Sequence, residues 1–224
     1  MSQSSDQSAD IAQSWVLNAD AWTAAVRGGG IESRRLVTDR AMVEAVLAQQ
    51  PKRVLDLGCG EGWLIRALAK HGVNGVGIDG SPNLIEAAQS SGGGIFHVYT
   101  YADLVDGASD IGSGFDVVSA NFAILHEEIA ALLRAVRQLL VPGGKLVIQT
   151  VHPWSVGGDY FDGWREEDFR NFEGVWQPMP WYFRTLSSWV KLLRACGYAI
   201  IDLAEPSHPD TKLPMSLLVV AETR

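Results

Sequence analysis

Apolar residues in this chain gather in short β-rich runs separated by longer stretches with helical spacing. Arg53-Val54-Leu55-Asp56-Leu57 reads as a buried strand, and Gly-rich sequence follows it before a helix through Leu64, Ile65 and Leu68. Residues 73–78 predict a second strand, 95–99 a third and 115–119 a fourth. Ser81-Pro82 opens a helix, with Ser as N-cap and Pro at the first helical position. Leu125, Ile129, Leu132, Leu133, Val136, Leu139 and Leu140 recur at helical intervals, so that segment predicts an amphipathic helix ended by Pro142-Gly143-Gly144. Residues 145–151 form a fifth strand. A helix over Leu186–Ala195, capped by Gly197, leads to two last strands at 198–203 and 215–221. Strands alternating with helices predict an α/β fold, with a mostly parallel sheet covered on both faces.

Two stretches break this rhythm. Residues 151–184 read as irregular and hold half of the chain's aromatic residues, among them Trp154, Trp164, Trp176 and Trp181. That aromatic insertion (152–184) reads either as a satellite core or as a lid over an apolar acceptor pocket. Upstream, 33–47 predicts a helix laid over the sheet. The division that follows is a disordered N-terminal tail over 1–14, a helical cap over 15–50 and the α/β domain over 51–224.

Composition narrows the function classes. Within 224 residues, the apolar runs are far too short to cross a bilayer, and residues 1–10 lack the basic and apolar parts of a signal peptide. A formal net charge of −8 opposes general affinity for nucleic acid. Two cysteines, Cys59 and Cys196, make no disulfide framework, and a cytoplasmic setting is the default. No cluster of ligand side chains suggests a metal. Oligomeric state is not legible.

The candidate chemistry starts at Val54-Leu55-Asp56-Leu57-Gly58-Cys59-Gly60-Glu61-Gly62, a strand running into a turn with glycines at alternate positions. Glycine there lets a ligand lie against the backbone. Asp56, two residues before the first Gly, would oppose the pyrophosphate of a dinucleotide but suits a cationic ligand. Asp79, in Gly77-Ile78-Asp79-Gly80-Ser81, ends the second strand at the distance where an acid accepts ribose hydroxyls. Tyr101-Ala102-Asp103 follows the third strand, where an adenine amino group can be held. Asn121 closes the fourth strand beside the same crevice.

These residues resemble the class I S-adenosylmethionine (SAM)-dependent methyltransferases. Asp56 through Gly62 looks like the family's first motif, Asp79 like its ribose acid, Asp103 like its adenine acid, and Leu140-Val141-Pro142-Gly143-Gly144-Lys145-Leu146 like its turn into the fifth strand. The resemblance implies seven strands with the last antiparallel, SAM as cofactor, and transfer of a methyl group to an acceptor. The implied cofactor set is Asp56, Gly58, Cys59, Gly60, Gly62, Trp63, Asp79, Gly80, Ser81, Ala102, Asp103 and Asn121. The family also closes over SAM with an N-terminal aromatic and an Arg, for which Trp22 and Arg34 are the candidates. Asn121-Phe122-Ala123-Ile124 lacks the paired prolines of the DNA amino-methyltransferases, and a small-molecule acceptor fits the acidic charge better.

His126 and His152 each lie just past a strand end, where a histidine of ordinary pKa can take a proton from an acceptor. They are the catalytic candidates. Arg184 is a candidate for an acceptor carboxylate or for a salt bridge. Three alternatives remain: a non-catalytic SAM-binding module, a SAM enzyme that transfers a different SAM-derived group, and a nicotinamide-dependent oxidoreductase. Trp63 stands where the oxidoreductase's third Gly or Ala belongs.

Overall fold

The computed structural model describes residues 2–107, 110–170 and 172–224, with no side-chain description for 2–6 and 8. Seven strands form one sheet: β1 (Arg53–Leu57), β2 (Asn74–Asp79), β3 (Ile95–Val98), β4 (Phe115–Asn121), β5 (Leu140–Thr150), β8 (Tyr198–Ala204) and β9 (Leu217–Thr223). Their order is β3-β2-β1-β4-β5-β9-β8. The first five pair in parallel, and β9 runs antiparallel between β5 and β8.

Alternation along β1 assigns its side chains to the two faces. Val54 packs with Val117, Val147 and Val220 under α2 (Asp39–Leu47) and α3 (Trp63–Ala69), where Met42, Val46, Leu64 and Leu68 are buried. Leu55 and Leu57 belong to the opposite core, with α6 (Ala130–Leu139) and α7 (Leu186–Ala195). In α6 the buried residues are Leu132, Leu133 and Val136, the i, i+3/i+4 stripe that anchors it, each side chain contributing about 1.5–3 kcal/mol. Two further helices complete the parallel half, α4 (Pro82–Ser91) and the short α5 (Tyr101–Val105).

Four expectations need correction. Residues 2–14 are not the disordered tail expected over 1–14, of which residue 1 lies outside the described residues: α1 spans Ser2–Arg27. Its inner face carries Ile11, Ser14, Asn18 and Ala19, all buried, and the polar pair disguised the stripe. Asn18 Nδ2 donates to the Gln177 carbonyl (2.9 Å), and Gln177 N–H donates to Asn18 Oδ1 (2.8 Å). Second, residues 34–38 form a π-helical turn before α2, closed by the Asp39 N–H on the Arg34 carbonyl. Third, α6 starts at Ala130, five residues late. The carbonyls of Leu125, His126 and Glu127 are bound by the Tyr182 N–H and the Arg184 guanidinium instead of by a further helical turn. Fourth, the aromatic insertion contains an antiparallel hairpin, β6 (Gly163–Glu167) with β7 (Met179–Phe183). Its Phe169 and Met179 are buried with Ile11 and Leu125, and Trp15, Trp164, Trp176 and Trp181 pack around them. The insertion is thus a satellite core that seats α1, and the lid over the sheet is α1 itself.

Among the described residues no helix is long and apolar enough to cross a membrane, and no group of His, Cys, Asp and Glu is arranged to hold a metal.

Candidate ligand site

Strand order reverses between β1 and β4, and a crevice opens at their C-terminal ends. A cavity of about 480 Å³ lies there. Of the residues the sequence offers for a cofactor, Gly58, Gly60, Asp79, Gly80, Ser81, Ala102 and Asn121 line it. So does His126.

The three motif glycines do different jobs. All have positive φ: +62° at Gly58, +55° at Gly60 and +81° at Gly62. A methyl group at Gly62 would sit 2.8 Å from the Phe96 ring, and one at Gly58 would sit 2.6 Å from Ala123 Cβ. At Gly60 it would meet only Trp22 Nε1, at 3.5 Å. Gly60 is therefore the glycine whose missing side chain opens backbone to the cavity, while Gly62 lets the turn pack on β3.

Asp79 is half-buried at the end of β2. Its Oδ2 accepts from the Gly60 N–H (3.0 Å) and its Oδ1 from the Ser81 N–H (2.9 Å). Those bonds fix the carboxylate at the cavity wall and leave each oxygen a second lone pair. Burial raises its pKa, and the two backbone bonds oppose that. Asp56 is 2% exposed and accepts from Ser119 Oγ at 2.7 Å. Burial pushes its carboxyl up to about 7, with Asp79 adding to the rise and the Ser119 bond and Arg34 opposing it. It stands behind the wall, outside the lining.

Five expected cofactor residues are not part of the lining. Besides Asp56 these are Cys59, Gly62, Trp63 and Asp103. Cys59 is a buried filler against Gly77, where an added Cβ would be 2.8 Å from its Sγ. Trp63 lies under the Arg34 guanidinium, 4.6 Å from its ring centre. Asp103 caps α5: its Oδ2 accepts from the Thr100 N–H and hydroxyl, both at 2.7 Å, which lowers its pKa.

His152 is also elsewhere. It is 2% exposed, its Nε2 pairs with Glu205 (2.8 Å), and its Nδ1 accepts from the Trp154 N–H (3.2 Å). With both nitrogens engaged away from the cavity, it braces the chain after β5. Arg184 is 5% exposed, lies over Tyr182 and Trp189 outside the cavity lining, and places Nη2 on main-chain carbonyls while Nη1 is buried without a partner.

His126 alone of the catalytic pair faces the cavity. Its ring meets Tyr101 edge-on at 5.5 Å, and its Nδ1 is buried without a hydrogen-bond partner. Burial, helped by the Arg184 charge, holds its pKa below the usual histidine value, so the imidazole is neutral at neutral pH.

Several wall residues had no clear signal in the sequence. Ile11 and Trp15 come from α1, beside Trp22, the aromatic that the sequence did offer, and Phe122 follows β4 with φ +52°, strained for a side-chain-bearing residue. Asn121 is set by Gln149, whose Nε2 donates to its Oδ1 (2.6 Å) and to the Thr38 carbonyl (3.0 Å). Arg34, the arginine the sequence offered, lies outside the lining: it is 7% exposed between Trp22 and Trp63, with Nε on Asp39 (2.8 Å) and Nη2 buried and unpaired. Finally, buried Glu61 receives Arg27 (3.0 Å) from α1 and Arg66 (2.5 Å) from α3, tying the lid to the glycine turn.

This sheet, with its glycine turn and strand-end acid at the switch point, has the class I SAM-dependent methyltransferase fold. Residues 33–203 match the Methyltransferase domain family, and the chain belongs to that family. It is 34% identical over 113 residues to the ubiquinone biosynthesis O-methyltransferase of Xanthomonas axonopodis pv. citri, over 49% of this chain and 47% of that protein. The chain thus spans about half the length of the curated relatives it matches. Among solved structures, a SAM-dependent methyltransferase from Mesorhizobium loti superposes with TM-score 0.61 at 24% identity, over 80% of this chain and 97% of that one. The 1,6-didemethyltoxoflavin-N1-methyltransferase of Burkholderia thailandensis, with its substrate and S-adenosylhomocysteine bound, gives 0.64 at 20% identity, over 100% of this chain and 91% of that one. Family membership removes the nicotinamide alternative.

Proposed function

We propose that the cavity takes SAM and that the chain methylates a small-molecule acceptor with His126 as general base. The observation that carries this reading is the Gly60–Asp79 wall of the cavity, with Arg34 just outside the lining against Trp22 and its buried Nη2 without a partner. A buried unpaired guanidinium nitrogen is costly, and a ligand carboxylate is the group that would satisfy it. Asp79 would accept the ribose hydroxyls, Gly60 would let the ligand lie on the backbone, and Asp56 would favour positive charge close by. The residues fit the methionine, ribose and sulfonium parts of SAM.

When bound, SAM supplies an electrophilic methyl group whose bond to sulfur breaks as the acceptor's lone pair forms the new one. The chain's own part is to hold, orient and deprotonate. Asn121, pinned by Gln149, and the strained Phe122 shape the wall at the end of β4. His126, neutral with Nδ1 unpaired, would accept the acceptor's proton. The α1 lid would exclude water, with positioning and desolvation carrying much of the acceleration. A net charge of −8 supports a small acceptor over nucleic acid, and two free, buried cysteines suit a cytoplasmic setting.

The test is calorimetric titration of SAM, S-adenosylhomocysteine and NAD against the protein and its Asp79→Ala variant. Saturable binding of the first two, weakened by the substitution and absent for NAD, is expected. No binding of either SAM-type ligand would overturn the reading.

A further inference from the structure

We infer that the acceptor is a planar, largely apolar molecule that offers a hydroxyl or N–H group to His126 and carries no carboxylate or phosphate. This rests on the methyl-transfer reading above and names the substrate class of that same site. Three independent features of the cavity point to it.

The first is charge. No Lys or Arg is among the cavity's lining residues, whereas Asp79, Asp106 and Glu128 are, the last two exposed at its rim. An anion entering here would lose water and face carboxylates without a counter-charge. The two nearby cations lie outside the lining. Arg184 turns Nη2 to the carbonyls behind His126 and keeps a buried, unpaired Nη1, and the free nitrogen of Arg34 is claimed by the carboxylate of the proposed cofactor.

The second is the orphaned Nδ1 of His126. A buried ring nitrogen without a partner is satisfied by a ligand group, and on a neutral imidazole with hydrogen on Nε2 it accepts a donor. A hydroxyl or N–H meets that requirement; an ether, ester or tertiary amine does not. The third is shape. Trp15, Tyr101, Ile129 and Leu132 give the wall flat and branched apolar surfaces, which favour a ring.

The experiment uses the protein saturated with S-adenosylhomocysteine, so that Arg34 is already engaged. Failure at that first titration would overturn the methyl-transfer reading rather than this one. The saturated protein is then titrated with 2-naphthol, 2-naphthoate and 2-methoxynaphthalene, which share a ring and differ in charge and donor. Naphthol is expected to bind at least about tenfold more tightly than naphthoate, the effect of setting like charges together in a desolvated site. The double variant Asp106→Asn, Glu128→Gln narrows that gap to about threefold or less as the rim loses its charge. Naphthol also binds more tightly than methoxynaphthalene, and His126→Leu removes that second preference. Naphthoate binding as well as naphthol, an unchanged donor preference in His126→Leu, or no binding by any probe would overturn the inference.

Discussion

The glycine turn allows a prediction that separates packing from ligand access within three residues. Gly60→Ala and Gly62→Ala both place a side chain at positive φ, +55° and +81°, each at about 1–2 kcal/mol. Beyond that they diverge. At Gly62 the new methyl lands 2.8 Å from two Phe96 ring carbons and 3.1 Å from Ala88 Cβ. Phe96, Ala88 and Ile85 form a tight buried cluster, so relief requires moving β3 or α4. Overpacking of that kind costs about 1–3 kcal/mol. The sum for Gly62→Ala is about 2–5 kcal/mol, which lowers a urea midpoint by about 1 M or more at a slope near 2 kcal/mol/M. At Gly60 the methyl finds open space apart from Trp22 Nε1 at 3.5 Å, so stability falls by the backbone term alone. That space is where the ligand would lie, and S-adenosylhomocysteine affinity is expected to fall by about tenfold or more, the same overpacking cost moved into the complex. Urea denaturation and calorimetry on both variants read the two quantities separately. A Gly62→Ala protein with wild-type midpoint and an affinity loss equal to that of Gly60→Ala would refute the division.

Because burial holds His126 below the usual histidine value, the base stays neutral as pH falls, and kcat should hold down through pH 6.5 and decline only below it. His126→Gln should lower kcat by about 100-fold or more and abolish that limb; an unchanged rate would remove the base. Asp56, pushed up to about 7 against about 4 unfolded, keeps its proton longer when folded, so its contribution to stability is present at low pH and lost as pH rises from about 4 through 7. Asp56→Asn should flatten that slope in denaturation midpoints taken across the range, and an unchanged slope would assign it to other groups. His152→Ala leaves Glu205 and the Trp154 N–H without their partner, and a stability loss of about 1–3 kcal/mol with unchanged S-adenosylhomocysteine affinity is expected; a selective loss of affinity would return His152 to the site.

What was legible in the sequence was whatever two physical periods encode. The strands of the sheet stand out because residues buried on both faces must be apolar without interruption, and the acids at the ends of β1 and β2 stand out because they interrupt such runs. Side-chain direction beyond the backbone was not legible. Asp103 has the right place in the chain for adenine, yet its carboxylate is two bonds deep in its own helix cap. His152 follows β5 as His126 follows β4, and only the fold reveals that Glu205, 53 residues later, turns it away. The aromatic insertion was ambiguous because tryptophans serve a satellite core and a pocket equally well.

The lid teaches the most about how far the comparisons reach. The family match begins at residue 33, whereas Ile11, Trp15 and Trp22 of the cavity wall precede it. Helix α1 is held by three kinds of contact that no periodicity advertises: the reciprocal Asn18–Gln177 pair, the Arg27–Glu61 ion pair, and the edge-on packing of Trp22 on Trp176 at 6.4 Å. The glycine turn and strand-end acid that relate this chain to its family would address the cofactor. The wall that would meet an acceptor combines α1, outside the matched region, with the 122–132 segment, whose backbone is set by Arg184 and Tyr182 of the insertion. Of these parts only α1 lies outside the matched region; the 122–132 segment and the insertion lie within it. The acceptor of this chain is therefore to be sought in the charge and donor pattern of its own wall.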